Sequence, residues 1–239
     1  MKKIIKQKKK LNKKITVLFC CRKNEKYSIL LKKILEKKAN LKIFYSKTYN
    51  ENLPKKFYKH KYSYIICFRS YLILNNKILK KTGIAINFHP SLPKYRGVGC
   101  ANYAIMNNDK YFGSTIHLIE KKIDSGKIIN VKKFKISSKI SLKVLLRKTH
   151  LSMYYQAKVF INKLFNNRIN ISKEIKKNNY KWSKKYNNLN KLNEFYNLKV
   201  KLSENKLQRY LRSTIFNNYR PVLDIQGKKF LYAAIKNRK

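Results

Sequence analysis

The sequence is short of acidic side chains and of recognisable targeting or metal-binding patterns. Of its 239 residues only 10 are Asp or Glu, against 59 Lys or Arg, so the formal net charge is +49. The four cysteines, Cys20, Cys21, Cys67 and Cys100, lack CxxC spacing and lie in or beside apolar runs. That argues against a zinc site or a disulfide frame and predicts reduced, buried thiols in a cytoplasmic protein. The basic lead, residues 1–14, is followed by one short apolar run, Ile15–Cys21. Such a run is too short for a signal core with its flanks, or for a membrane span. Neither export nor a membrane partner is expected. No RGG tract, no zinc knuckle, no basic region with heptads and no internal repeat is present. Charge alone therefore does not make this chain a nucleic-acid binder.

Hydrophobic residues make up 44% of the chain, which is enough for a real core and excludes wholesale disorder. The charge would attract polyanions such as nucleic acid or phosphorylated substrates. The excess is mostly Lys, spread through nearly every segment beside many Asn, Ile and Tyr. This reads as drift in residue usage rather than as one binding stripe.

Apolar runs at Ile15–Cys20, Leu41–Tyr45, Tyr64–Phe68 and Ile84–Asn87 have strand length, and continuous runs suit strands buried on both faces of a parallel sheet. Between the first two, Ile29, Leu30, Ile34 and Leu35 follow helical spacing over Tyr27–Lys38. Strands alternating with helices predict a doubly wound, mostly parallel α/β fold. Two further strands, Ser114–Glu120 and Lys127–Ile136, precede a long amphipathic helix over Ser141–Leu164. Residues 166–185, dense in Asn, Lys and Ser around Trp182, read as a linker. Residues 186–239 read as a small C-terminal α+β appendage, with a helix near Glu204–Ser213. Val222–Ile225 and Lys229–Ile235 would form a hairpin turning at Gln226–Gly227. Residues 15–165 would then be the catalytic domain.

The chemistry is concentrated in Asn87-Phe88-His89-Pro90-Ser91-Leu92-Pro93-Lys94-Tyr95-Arg96-Gly97. Asn87 and His89 are two apart at the end of a buried strand, so both side chains point the same way. Open α/β sheets place their ligand crevice at such carboxyl ends. Pro90 and Pro93 stiffen the loop that follows, which suits a pocket wall. Farther on, Ile123-Asp124-Ser125-Gly126 retains one of only three Asp in the chain. By itself Asp-Ser-Gly suits a turn in which Asp caps its own backbone. Beside Asn87 and His89 it reads as part of the same site. His117 falls in a strand and is expected to be a packed or pocket-wall residue.

Taken together, Asn-x-His-Pro-Ser-x-Pro-x-Tyr-Arg-Gly, Gly113-Ser-Thr-Ile-His117 and Ile123-Asp-Ser-Gly126 resemble the folate-dependent formyltransferases. That family includes enzymes acting on methionyl-tRNA, on glycinamide ribonucleotide and on amino sugars. The resemblance implies a Rossmann-like core, 10-formyltetrahydrofolate as formyl donor, and a primary amine as acceptor. It implies catalytic roles for Asn87, His89 and Asp124. It also implies donor contacts around Ser70, Tyr71, Leu72 and Ile123, and acceptor contacts around Ser91, Tyr95 and Arg96. Ser91-Leu92-Pro93 is one residue shorter than the usual family loop. With Gly97–Ala104 and the tail around Trp182, it is similar to the subgroup acting on modified sugars.

Three functions compete at this point: formylation of a nucleotide-linked amino-deoxy sugar, formylation of methionyl-tRNA, and RNA binding without catalysis. The short loop and small tail favour the first, since the tRNA-type family members carry a separate barrel domain. The charge favours the second. The set Asn87, His89 and Asp124 weighs against the third, because a pure binder needs none of them.

Overall fold

The computed structural model describes residues 15–49, 51–198, 202–225 and 227–233. The basic lead, Gln226 of the expected hairpin turn, and the end of its second strand lie outside the described residues. The chain falls into two compact units, Met1–Ala85 and Ile86–Lys239.

In the first unit, β1 (Thr16–Arg22) buries five consecutive side chains, as a strand covered on both faces must. The next element, α1 (Lys26–Glu36), starts where the Glu25 carboxylate accepts from Ser28 N at 2.7 Å. It presents Ser28, Leu31 and Leu35 to the core. Then come β2 (Asn40–Ser46), a 3-10 turn at Lys55–Lys59, and β3 (Tyr62–Phe68). β1 pairs in parallel with β2 on one side and β3 on the other. A short helix, α2 (Asn76–Leu79), is capped by Asn75 and leads into β4 (Thr82–His89). β4 carries the chain into the second unit.

The second unit continues with β5 (Arg96–Gly97), α3 (Cys100–Met106), β6 (Tyr111–Leu118) and β7 (Ile128–Lys135). β6 runs antiparallel to both the end of β4 and β7. α4 (Leu142–Phe165) is the long helix expected, opened by Ser141, whose hydroxyl accepts from Val144 N. Leu142 and Leu145 of α4, Ala101, Ala104 and Ile105 of α3, and Phe112 of β6 share one core cluster. The expected linker contains a helix, α5 (Ile171–Lys177), with no buried side chain. Its apolar spacing is too sparse to register as a helix in sequence. The tail holds β8 (Tyr186–Asn187), α6 (Leu189–Tyr196), β9 (Asn197–Leu198), α7 (Glu204–Thr214), β10 (Val222–Ile225) and β11 (Lys228–Leu231). β10 and β11 form the antiparallel pair expected.

The architecture is thus the mostly parallel α/β class read from sequence, with a small α+β tail. The four cysteines are free and buried. Among the described residues no helix is long and apolar enough to cross a membrane.

Candidate active site

The site is assembled in the second unit by strand register. In the β4–β6 ladder Asn87 lies opposite His117, and His89 opposite Thr115. The β6–β7 ladder shifts register between Ile116 and His117, a bulge that re-aims a side chain at a sheet's end. The Asn87 amide nitrogen comes to 3.1 Å from His117 Nε2, and His117 Nδ1 to 2.7 Å from the Leu118 carbonyl. A carbonyl only accepts, so Nδ1 carries the proton and Nε2 receives the Asn87 N–H. The half-buried Asn87 amide has a second N–H to offer.

His89 is 3% exposed. Its Nε2 donates to the Tyr95 carbonyl at 2.8 Å, and its Nδ1 lies 3.5 Å from Asp124 Oδ2. Asp124 adopts a left-handed backbone, φ 46°. Its Oδ2 accepts from Gly97 N at 2.9 Å, while Oδ1 faces His117 Nε2 at 3.5 Å. One carboxylate thereby stands before two imidazoles and a main-chain amide. Two glycines permit this. A Cβ on Gly97, at φ +84°, would overlap the Asn187 carbonyl, and one on Gly126 would overlap the Leu118 carbonyl. Both loops can therefore approach neighbouring backbone only without a side chain.

Burial works against charge on both partners of the pair. For His89 burial lowers the pKa, but the Asp124 charge and the neighbouring Cys100 thiol outweigh it and raise it to about 9. For Asp124 burial acts upward, yet the His89 charge and the Gly97 amide hold its carboxyl well below the usual carboxylate range. At neutral pH the pair is an imidazolium facing a carboxylate.

A stability profile follows. The folded-state pKa of His89 lies above its ordinary value of 6.5. Its contribution is complete below that value and is lost as pH rises through about 9, on the order of 3 kcal/mol in all. Asp124 contributes above its ordinary value of 3.8, and that contribution is lost as pH falls through its depressed folded value. Thermal denaturation between pH 6.5 and 9 is expected to show a falling Tm with a component that His89→Gln lacks. Equal slopes in the two proteins would rule this out.

The other residues expected at the site are placed as follows. The Tyr95 ring is buried, and its hydroxyl donates to Asp109 at 2.8 Å while its carbonyl serves His89. Arg96 donates to the carbonyls of Ser183 (3.2 Å) and Ile123 (2.9 Å), tying the Asp124 loop to the segment after α5. Ile123 is exposed. Ser91 is fully buried, with its hydroxyl unpartnered among the described residues, and its carbonyl accepts from Thr115. In the first unit, the Ser70 hydroxyl donates to Ser46 Oγ and accepts from Leu72 N. Tyr71 N donates to Ser46 Oγ, and the Arg22 guanidinium stacks on the Tyr71 ring at 3.8 Å. Leu72 is buried. All three follow the carboxyl end of β3.

Sequence reasoning left two participants out. His117 was expected only as packing, but register makes it the partner of Asn87. Trp182 was expected only as a linker anchor, but its ring meets those of His89 (5.6 Å between centroids) and His117 (4.9 Å) edge-on. For His117 the sequence offered only its place on a strand, and the antiparallel pairing with the motif strand comes from the structure. For Trp182 it offered nothing, because the contact spans more than sixty residues.

Comparison with known proteins gives the family. The formyl transferase family model matches residues 1–161. The chain belongs to that family. The bifunctional polymyxin resistance protein ArnA of Wigglesworthia glossinidia brevipalpis is 36% identical over 149 residues, 60% of this chain and 22% of that protein. Methionyl-tRNA formyltransferase of Finegoldia magna is 43% identical over 61 residues, 25% of this chain and 20% of that one. The chain thus spans about a fifth of the length of these curated relatives. Among solved structures, an N-formyltransferase from Helicobacter canadensis in complex with folinic acid and dTDP-3-aminofucose superposes with a TM-score of 0.68. It is 21% identical, with 90% of this chain and 86% of that one covered.

Proposed function

We propose that this protein is a cytoplasmic N-formyltransferase that moves a formyl group from 10-formyltetrahydrofolate to the primary amine of a nucleotide-linked amino-deoxy sugar. The observation that carries this reading is the buried cluster in which Asn87 and the His89–Asp124 pair converge at the end of β4. The Helicobacter enzyme, solved with a folate and a dTDP-amino sugar, supports the choice of donor and acceptor.

In the reaction the amine lone pair attacks the formyl carbon, an N–C bond forms, and the bond from that carbon to the donor's nitrogen breaks. One proton passes from the attacking amine to the leaving nitrogen. The Asn87 amide donates to the oxygen that becomes negative, and the His89 imidazolium adds positive charge beside it. His89, held as an imidazolium by Asp124, relays the proton. Asp124 stays ionised and holds His89 in register. The donor supplies the formyl carbon. Residues Ser70, Tyr71 and Leu72, after a parallel strand's carboxyl end, would hold its ring system. That location and the Arg22–Tyr71 stack fit a flat, polar-edged group.

A groove of about 380 Å³, lined in part by Pro93, Lys94, Lys133, Tyr180 and Trp182, would accept the anionic end of the acceptor. Ser91, Tyr95 and Arg96 would shape its catalytic side. The net charge keeps methionyl-tRNA as the second reading. Donor consumption should be followed with a dTDP-amino-deoxy sugar and, separately, with charged initiator tRNA. Turnover with the sugar, weakly dependent on salt, is expected. Turnover with tRNA alone, falling steeply with salt, would overturn the choice of acceptor.

A further inference from the structure

Trp182 is the sole tryptophan in the chain, and it lies in a segment otherwise dense in Lys and Asn. Three separate sets of contacts bring it to the histidines. Its ring stands nearly perpendicular to both, at 73° to His89 and 85° to His117. Its indole N–H donates to the Gly126 carbonyl at 2.7 Å, on the loop that carries Asp124. Its neighbours are stitched to the motif loop on either side. Ser183 N donates to the Pro93 carbonyl at 3.0 Å, and Val98 N to the Asn187 carbonyl at 2.9 Å. Arg96 donates to the Ser183 carbonyl, and β5 pairs with β8 through Arg96↔Tyr186 and Gly97↔Asn187. The segment 182–187 is therefore a strap across the loop that supplies the Tyr95 carbonyl and Gly97 amide to the site.

We propose that Trp182 is a positioning residue for the reaction, holding the Asp124 loop in place and keeping water from the His89–Asp124 pair. The inference rests on the formyl-transfer reading for its kinetic consequence, but its structural content does not. The indole supplies what no linker residue needs: a broad apolar face against two rings, and a donor aimed at the one carbonyl that follows Asp124 by two residues. The groups facing His89 are Asp124 from the loop before β7, His117 from β6 and Cys100 from α3.

Removing the indole admits water to the pair. Both the burial effect and the Asp124 attraction then shrink. Because Asp124 and Cys100 together outweigh burial only in the closed, intact site, the upward shift of His89 falls back toward the ordinary value as that site opens.

The test uses the full-length protein, Trp182→Ala and Trp182→Phe, with His89 followed by NMR titration of histidine-labelled samples. In Trp182→Ala the His89 midpoint is expected to fall by at least about one unit, because a solvated pair is screened. Donor turnover should fall about 10- to 100-fold in kcat with little change in KM for the donor, as misplacement of reacting groups predicts. Trp182→Phe keeps a ring but loses the N–H bond to Gly126. It should retain the midpoint better than Trp182→Ala and recover part of kcat. It also serves if Trp182→Ala fails to fold. An unchanged His89 midpoint in both variants would overturn the proposal. No turnover in any of the proteins, with the midpoint still shifted, would sink the formyl-transfer reading and leave the role of Trp182 in the site standing.

Discussion

His89→Ala is expected to lower kcat about 10²- to 10⁴-fold, the range typical for a lost acid–base group, while KM for donor and acceptor stays within a few-fold. The reason is positional. His89 is held by the Tyr95 carbonyl on one ring nitrogen and faces Asp124 on the other, so its ring has little freedom to be replaced by water or by a neighbour. His89→Gln, which keeps polar atoms in the cavity, separates chemistry from packing: it should keep the parent's fold at reduced stability and remain nearly inactive. Steady-state kinetics of both variants decide the matter, and a kcat within threefold of the parent would remove His89 from the mechanism.

Asp124→Asn is the second large effect, and it acts on two observables at once. The substitution preserves shape and still leaves an oxygen to accept from Gly97 N. It removes the largest of the influences that raise the His89 pKa, so the His89 midpoint should fall from near 9 toward 6.5. The decline in stability between those pH values should disappear with it. At neutral pH the unpaired His89 can shed its proton, so the destabilisation belongs at or below the lower end of the roughly 3–5 kcal/mol typical for breaking a buried pair. Turnover should fall about 10²- to 10⁴-fold, since the remaining imidazole is neutral and poorly oriented. Histidine NMR titration and denaturant unfolding read the two effects separately. A His89 midpoint still near 9 would mean that some other group holds its charge.

Much of the fold was legible because its signals are local. Continuous apolar runs such as Val17–Cys21 and Ile65–Phe68 are buried along almost their whole length and fall in β1 and β3. The period-two placement of Asn87 and His89 put both on one face of β4, where they stand. What stayed hidden depends on pairing between distant segments. Nothing local in Ser114–Leu118 says that His117 will face Asn87 across an antiparallel ladder. Nothing in Tyr180–Ser183 says that Trp182 will reach two histidines. Short helices without buried side chains, such as α5, carry too little apolar periodicity to be read. Arg96 illustrates the other limit. In a chain with 59 basic residues no charge stands out, yet this one spans two loops through their carbonyls.

The most direct measurement is transfer of a ¹³C-labelled formyl group from 10-formyltetrahydrofolate to a dTDP-linked amino-deoxy sugar, followed by NMR, with Asn87→Ala, His89→Ala and Asp124→Asn alongside. Formyl transfer predicts a new labelled formamide on the sugar nitrogen, formed by the parent protein and slowed at least about 10²-fold in each variant. Label that stays on the donor or appears only as free formate, or a formamide formed equally fast by all four proteins, would contradict it.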